Sequence, residues 1–591
     1  MKKVNVTING KTILVPENYT IMEAAYKLGI DIPRLCFLKE ISESSSCRIC
    51  VVEIEGLNTL KNSCTVKVWD KMVVKTNTER VNNAVRKNLE LIAASHLFEC
   101  WRCPREHNCE LLKLLRRYNI ENRIGEDQSF AKKTTIANLT DAMVIDSSKC
   151  ILCGRCVDAC ATLAGTKVLN FNYRGFKTYV STALNHELDD SGCIYCGKCI
   201  QACPVGALKE KEDFERVFEL LQDPDKYVVV QIAPAVRAAL GEEFGLKIGT
   251  NVENKVYSSL KALGFDEITD TNFGADLTIM EEANEFIERY KQYKANKKSV
   301  LPMFTSCSPG WIKYIEAYYP EYLPHLSSCK SPHQMLGAIV KNYYAEKLGL
   351  DPKKVYVVSV MPCIAKKYEA NRKEMEVNKK RDVDYVITTR ELARMIKIAG
   401  LDFHKLPKFK ATSPLAEYTG AGAIFGATGG VMEAALRTVK DTLEKTENKD
   451  VDFPMVRGVN NGIKEATLKI AGEEFLVAVV HGAVNFPEMF KRLKENKKPY
   501  AFIEFMACTG GCVNGGGQPI VNAKIQDTTD IRTERAKALY TIDKKTSIRR
   551  SHENPEILKI YEEFLGAPGA HKAHEVLHTT FKKQQVYGKI K

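Results

Sequence analysis

The sequence predicts a multidomain α/β protein in which small cysteine-rich modules precede one large α/β region. Three observations carry that prediction. The chain has 591 residues and 45% hydrophobic content, enough for several domains with real cores. Its 20 cysteines fall into short, regularly spaced groups in the first part of the chain and into separate motifs after it. From about residue 226 the texture changes to apolar runs that read as buried strands, such as Tyr227–Ile232, Val355–Val360 and Phe502–Phe505.

Composition narrows the function. A disulfide framework belongs to short secreted chains, and the start, Met1-Lys2-Lys3-Val4-Asn5-Val6, alternates like a strand and lacks the apolar core of a signal peptide. No run of about 18 uncharged apolar residues predicts a membrane span. The cysteines are therefore expected to be metal ligands in a reducing cytoplasm. The net charge is +13, but the lysines, among them Lys297-Lys298 and Lys582-Lys583, are scattered without an organising motif. Nucleic acid is not expected. A basic face suits acidic protein partners, because complementary charge speeds encounter.

Residues 1–80 open with alternating strands around Asn9-Gly10, a hairpin-turn signal, followed by a helix start in which Thr20 and Glu23 form a capping box. Cys36, Cys47, Cys50 and Cys64 then supply four thiolates. In a small β-rich domain these suit a [2Fe–2S] cluster, although the first spacing exceeds C-x4-C-x2-C; zinc is the competing reading. The small residues Ser44-Ser45-Ser46 favour a tight loop around the metal. Residues 81–125 begin as a helix near Val81 and lead to His96, Cys100, Cys103 and Cys109. By residue type alone this set fits a Cys3His zinc site or a [4Fe–4S] cluster.

Residues 126–208 carry Cys150-x2-Cys153-x2-Cys156-x3-Cys160, repeated as Cys193-x2-Cys196-x2-Cys199-x3-Cys203-Pro204. This is the bacterial two-cluster pattern, in which each fourth cysteine binds the other cluster. One cluster is expected on Cys150, Cys153, Cys156 and Cys203, the other on Cys193, Cys196, Cys199 and Cys160. The charged stretch Lys209–Asp213 reads as a linker into the α/β region, 209–591. There is no low-complexity segment and no internal repeat beyond the paired cysteine motif.

Three segments of the large region carry chemistry: Thr305-Ser306-Cys307-Ser308-Pro309-Gly310-Trp311, Met361-Pro362-Cys363-Ile364-Ala365-Lys366, and Met506-Ala507-Cys508-Thr509-Gly510-Gly511-Cys512 with its glycine-rich continuation to Pro519. Two cysteines four apart can bind neighbouring irons, and glycines let backbone approach a bulky inorganic group. Several of the predicted strands end where these motifs begin, as open α/β sheets place their sites.

Together these segments resemble the signature of the [FeFe]-hydrogenases, and the resemblance extends over essentially the whole chain. It implies a β-grasp ferredoxin-like N-terminal domain, a His/Cys3 [4Fe–4S] segment, a two-cluster ferredoxin domain and a large α/β domain. The last holds the H-cluster, a [4Fe–4S] cubane joined through one cysteine sulfur to a two-iron unit with CO, CN⁻ and a dithiolate bridge. By resemblance Cys363, Cys508 and Cys512 ligate the cubane, with Cys512 bridging, and Lys366 donates to a cyanide. Ala233, Pro234, Met361, Phe425 and Met506 form walls, with Ala235 where some members have serine. The family's proton route maps onto Cys307, Glu282, Ser327 and Glu285, with Arg289 near its mouth. Without the resemblance, Glu281, Glu282 and Glu285 would read as an ordinary solvated helix face.

One departure stands out. Members carry two adjacent cysteines in the first segment, a proton relay and then a cubane ligand; here the second is Ser308. Either the serine oxygen ligates iron, or Cys307 becomes the ligand and the relay changes. Register favours Ser308 at the cubane, and Cys329 is expected to be a small buried residue. The implied activity is 2H⁺ + 2e⁻ ⇌ H₂ with four accessory clusters and a ferredoxin or other low-potential carrier. A catalytic subunit of an NAD(P)H-linked or electron-bifurcating complex is an alternative. No nucleotide-binding glycine fingerprint follows a strand, so that reading needs diaphorase-type partner subunits. A non-catalytic iron–sulfur assembly protein or a sensor is a further alternative, though no signalling domain is expected after the tail.

Overall fold

Asn9 and Gly10 both take positive φ, 48° and 80°, the turn that matches the twist of paired strands. It joins Lys3–Ile8 to Lys11–Pro16 within a five-stranded sheet completed by Met72–Lys75, Val51–Ile54 and Lys61–Asn62. Thr20 starts the helix Ile21–Lys27 as the sequence predicts: its hydroxyl accepts from Glu23 N, and the Glu23 carboxylate accepts from Thr20 N at 2.9 Å. Ile21, Ala24 and Ala25 of that helix bury against Val4, Val6 and Ile8 of the sheet. In this computed structural model residues 2–120, 138–295, 299–446, 450–496 and 498–587 are described. The expected boundary at 125/126 and the pair Lys297-Lys298 lie outside the described residues.

The helix Glu79–Ala94 buries Val81, Val85 and Leu89 and delivers the chain to His96. The two cysteine repeats fold alike. Each runs into a short helix, Arg155–Thr162 or Lys198–Ala202, whose N-cap glycine, Gly154 or Gly197, is left-handed. One expectation is corrected here. Lys209–Asp213 is not a linker, because Leu208–Glu210 is a strand paired with Met143–Ile145. Glu210 is buried against Arg390 at 2.7 Å, and Asp213 meets Lys367 at 2.6 Å. The charges that suggested solvent bind the cysteine-rich part to the large region.

That region holds two four-stranded sheets. The first, Glu267–Asp270, Tyr227–Ile232, Val355–Met361 and Tyr385–Thr388 in spatial order, is all parallel. The second orders Met303–Phe304, Tyr500–Met506, Glu473–His481 and Ile463–Ile470, with only the last pair antiparallel. Helices cover these strands, which explains their continuous apolar runs. The helix Thr271–Lys294 buries Glu281 and Glu282 together with its apolar residues, so it has no ordinary solvated face there. Trp311 is fully buried and stacks on Phe505 with centroids 3.9 Å apart, locking the first motif onto the strand that feeds the third. Truncating such a ring to alanine costs about 3–5 kcal/mol. No helix among the described residues is long and apolar enough to cross a membrane.

Candidate active site and electron path

The carboxyl ends of four parallel strands point their following loops at one place. Ile232 is followed by Ala233 and Pro234, Phe304 by Cys307 and Ser308, Met361 by Cys363, and Met506 by Cys508 and Cys512. These residues, with Lys366 and Phe425, line one cavity. The motifs are also tied to each other. Phe505 N donates to Thr305 Oγ1 at 3.1 Å, Trp311 Nε1 to Thr305 O at 2.9 Å, and Gly517 N to Pro362 O at 2.7 Å.

The donors divide into two groups. Burial pushes the Cys363 thiol well above the usual range, and Cys508 and Cys512 add to it. Cys512 is pushed up to about 12 by burial and then by Cys508. Three thiols crowded together in an apolar wall suit a cation-rich inorganic group that takes them as thiolates. Cys307 is also raised, by burial, but its next neighbours are Glu282 and then Cys512. It faces the Glu282 carboxylate as well as Cys512. Ser308 points elsewhere: its Oγ is 3.4 Å from Ala507 N, beside Cys508, and makes no capping bond to its own helix.

Lys366 is 9% exposed and donates to Cys307 O at 3.2 Å and to Glu369 at 2.9 Å. Burial alone would raise Glu369, but Lys366 and His333 outweigh it and hold the carboxyl at about 2. His333 contacts Glu369 through Nε2 and lines the cavity, and burial, then Lys366, brings it down to about 4. Sequence reading missed His333 and gave Glu369 no role; a glutamate one helical turn from a motif lysine was the available signal.

From Cys307 a line of polar groups leads outward. Glu282 is fully buried and neither carboxylate oxygen has a hydrogen-bond partner. Burial, reinforced by Glu285, pushes it up to about 8. The Ser306 amide and the Ser327 hydroxyl face it. Ser327 Oγ donates to Glu285 at 2.8 Å, and Glu285 pairs with Arg289 at 2.6 Å near the surface. Cys329 is fully buried, 3.9 Å from Glu285 and outside the cavity lining. A second buried carboxyl, Glu504, was not anticipated; burial pushes it up to about 7 although Gly429 N and Met432 N both donate to it at 2.7 Å.

The N-terminal cysteines form a continuous approach to this cavity. Cys50 and Cys64 sulfurs are 3.3 Å apart, Cys36 lies against Cys47, and Ser45 Oγ is 3.4 Å from Cys64. The same serine loop reaches the next unit, with Ser44 Oγ 3.4 Å from Cys153 O. His96 Nδ1 lies 2.9 Å from Lys149 O; a carbonyl only accepts, so Nδ1 carries the proton and Nε2 is bare. Burial brings His96 down to about 4, so the ring is neutral, as a metal ligand requires. Beyond the first repeat, Cys196 itself lines the cavity. A Cβ on Gly516 would lie 2.4 Å from Cys196 O, so only glycine lets the third motif and the second repeat touch. Lys198 also donates to Asn514 O, and Gln201 to Gly515 O at 2.8 Å.

Comparison with known proteins agrees with this geometry. The chain is 46% identical to iron hydrogenase 1 of Clostridium pasteurianum over 98% of its own length and 100% of that protein's. The chain belongs to the iron-only, or [FeFe], hydrogenase family. It is an oxidoreductase acting on H₂. Family models for the C-terminal domain of the iron only hydrogenase large subunit and for the iron hydrogenase small subunit match 226–516 and 529–584. Models for a 2Fe-2S iron-sulfur cluster binding domain and a 4Fe-4S dicluster domain match 1–79 and 131–207. The NADP-reducing hydrogenase subunit HndD of Solidesulfovibrio fructosivorans is 45% identical over 99% of this chain and 100% of that one. Among solved structures, a variant of the apo [FeFe]-hydrogenase HydA1 from Chlamydomonas reinhardtii superposes with a TM-score of 0.56 at 40% identity, covering 63% of this chain and 99% of the other.

Proposed function

We propose that this hydrogenase catalyses 2H⁺ + 2e⁻ ⇌ H₂ in the cavity at the strand ends, exchanging electrons through four accessory clusters with a ferredoxin-type carrier in the cytoplasm. The observation that carries the proposal is the convergence, on one buried cavity, of Cys363, Cys508 and Cys512, the paired Lys366 and the outward line from Cys307 to Arg289. The donor set and the apolar walls fit an H-cluster, which when bound supplies the two-electron chemistry at its irons. The chain's residues do the rest. Cys363, Cys508 and Cys512 would hold the cubane with Ser308 as its fourth ligand, and Lys366 would offer its ammonium to an anionic ligand. Ala233, Pro234, Met361, Phe425 and Met506 exclude water. Cys307, Glu282, Ser327 and Glu285 pass protons, each a titratable or hydroxyl group beside the next.

The accessory set follows the same ligands: [2Fe–2S] on Cys36, Cys47, Cys50 and Cys64; [4Fe–4S] on His96, Cys100, Cys103 and Cys109; and the crossed pair ending at Cys203 and Cys160. Cys196, a ligand of the last of these, lines the cavity itself. The relative named as NADP-reducing favours a second reading of the electron source, in which diaphorase-type partner subunits feed the same clusters. Reduced ferredoxin alone should support H₂ evolution; turnover seen only with NADPH and an added partner would select the second reading. Before the two-iron unit is inserted, the four accessory clusters and the cubane give about 18 irons per chain by the nuclearities of such clusters. Stoichiometric zinc, lost on replacing His96 or Cys36, would remove one cluster from that count.

A further inference from the structure

Seven arginines are buried among the described residues, and six of them are ion-paired to a carboxylate. Arg105 is the exception. It is 5% exposed, and its Nε and Nη1 are sealed from solvent without a hydrogen-bond partner. Glu110, the carboxylate near it, is already held by Arg155 through bonds of 2.8 and 3.0 Å. A guanidinium does not give up its proton in a protein, and burying it unpaired is strongly unfavourable. Glu110 therefore acts on Arg105 only at a distance, and no carboxylate pairs with it directly.

Besides Glu110, the groups close enough to act on the Arg105 charge are the sulfurs of Cys203 and Cys109. Its loop runs from Cys103 to Cys109, and Glu110 N donates to Pro204 O at 3.0 Å, closing the loop onto the Cys203 segment. The approach is tight: a Cβ on Gly206 would sit 2.4 Å from Cys103 Sγ and 3.9 Å from Arg105 Cβ. Arg390, the other cation nearby, is neutralised by Glu210 at 2.7 Å. Arg105 thus stands where the His96–Cys109 segment meets the Cys203 end of the two-cluster unit.

We propose that Arg105 is the shared counter-cation of two [4Fe–4S] clusters, the one on His96, Cys100, Cys103 and Cys109 and the one on Cys150, Cys153, Cys156 and Cys203, and that it raises the reduction potential of both. Reduction adds one negative charge to a cluster, and a fixed cation in a poorly screened interior stabilises that charge. Because the cation lies between the two, its field favours an electron on either side of the step that joins them.

The inference rests on the cluster assignment proposed above. A failure of that assignment shows as a missing cluster signal in the unaltered enzyme, whereas a failure here leaves every signal present at an unmoved potential. The test is a redox titration of the iron-replete holoenzyme followed by electron paramagnetic resonance, on Arg105→Met, which keeps much of the volume, and Arg105→Lys, which keeps the charge. In Arg105→Met both clusters should become harder to reduce, their reduced-to-oxidised ratio at fixed potential falling tenfold, about 59 mV for one electron. Arg105→Lys should recover most of the shift, and the [2Fe–2S] signal should stay in place as internal reference. Loss of the two clusters in Arg105→Met with retention in Arg105→Lys would support the same conclusion. Unmoved midpoints at full iron content, movement of one cluster alone, an equal shift in Arg105→Lys, or cluster loss in both variants would overturn it.

Discussion

Glu282→Gln should lower H₂ evolution by at least about a hundredfold, within the range general acid–base groups contribute, while iron content stays that of the unaltered enzyme. Glu282 is fully buried between Cys307 and Ser327, with the Ser306 amide and the Ser327 hydroxyl facing its carboxylate, so an amide of the same shape removes proton exchange while keeping the packing. Its titration fixes the pH dependence. Burial favours the neutral carboxyl and moves it from 4.5 to about 8. A raised carboxyl makes a contribution to stability that is complete below the unfolded value and lost as pH rises through the folded one. Glu282 therefore holds a proton at neutral pH, and, with Glu282 in the proposed proton route, H₂ evolution should fall on the alkaline side near pH 8. That limb should be missing from the residual activity of Glu282→Gln. Near-normal turnover in the variant would mean that protons enter elsewhere.

Cys307→Ala should keep the cubane and lose most turnover, while Ser308→Ala should lose or loosen the cubane. Chemistry alone pulls the other way, because iron in such clusters usually takes thiolate and a serine hydroxyl is far less acidic. Geometry outweighs that preference. Ser308 is fixed at the start of the helix Pro309–Tyr318, with Trp311 N and Ile312 N both donating to its carbonyl at 3.0 Å. Its hydroxyl is free of capping and lies beside the Cys508 loop, and the helix N-terminus favours an ionised oxygen there. Cys307 faces Glu282. Exchanging the two neighbours would require rebuilding a loop whose next residue, Pro309, has a fixed φ. Iron counting and low-temperature electron paramagnetic resonance on both variants decide the matter. Loss of the cubane in Cys307→Ala with a working cluster in Ser308→Ala would make Cys307 the ligand.

Much of this site was legible because cysteine spacing and strand-end motifs are local signals. The hairpin at Asn9-Gly10, the capping box at Thr20 and the three apolar runs at Tyr227–Ile232, Val355–Val360 and Phe502–Phe505 form as their residues suggest. What escaped the sequence is long-range pairing. Lys209–Asp213 looks like solvated charge until Arg390 and Lys367, far along the chain, are placed against it. Glu281 and Glu282 stand at helical spacing from Glu285, a pattern that implies water, yet neighbouring elements bury the first two. His333 and Glu369 surround Lys366 from different elements, and Arg105 is conspicuous only once its lack of a partner is seen. Burial and partner choice are tertiary properties, and no periodicity announces them.

The most direct measurement of the central claim is an infrared spectrum of the enzyme after insertion of the two-iron unit, taken with an H₂ assay on the same sample. CO and CN⁻ stretching bands are expected, with the CN⁻ band moved in Lys366→Met, together with H₂ evolution from a reduced low-potential donor. A fully iron-loaded protein that shows those bands but neither makes nor consumes H₂ would contradict the claim.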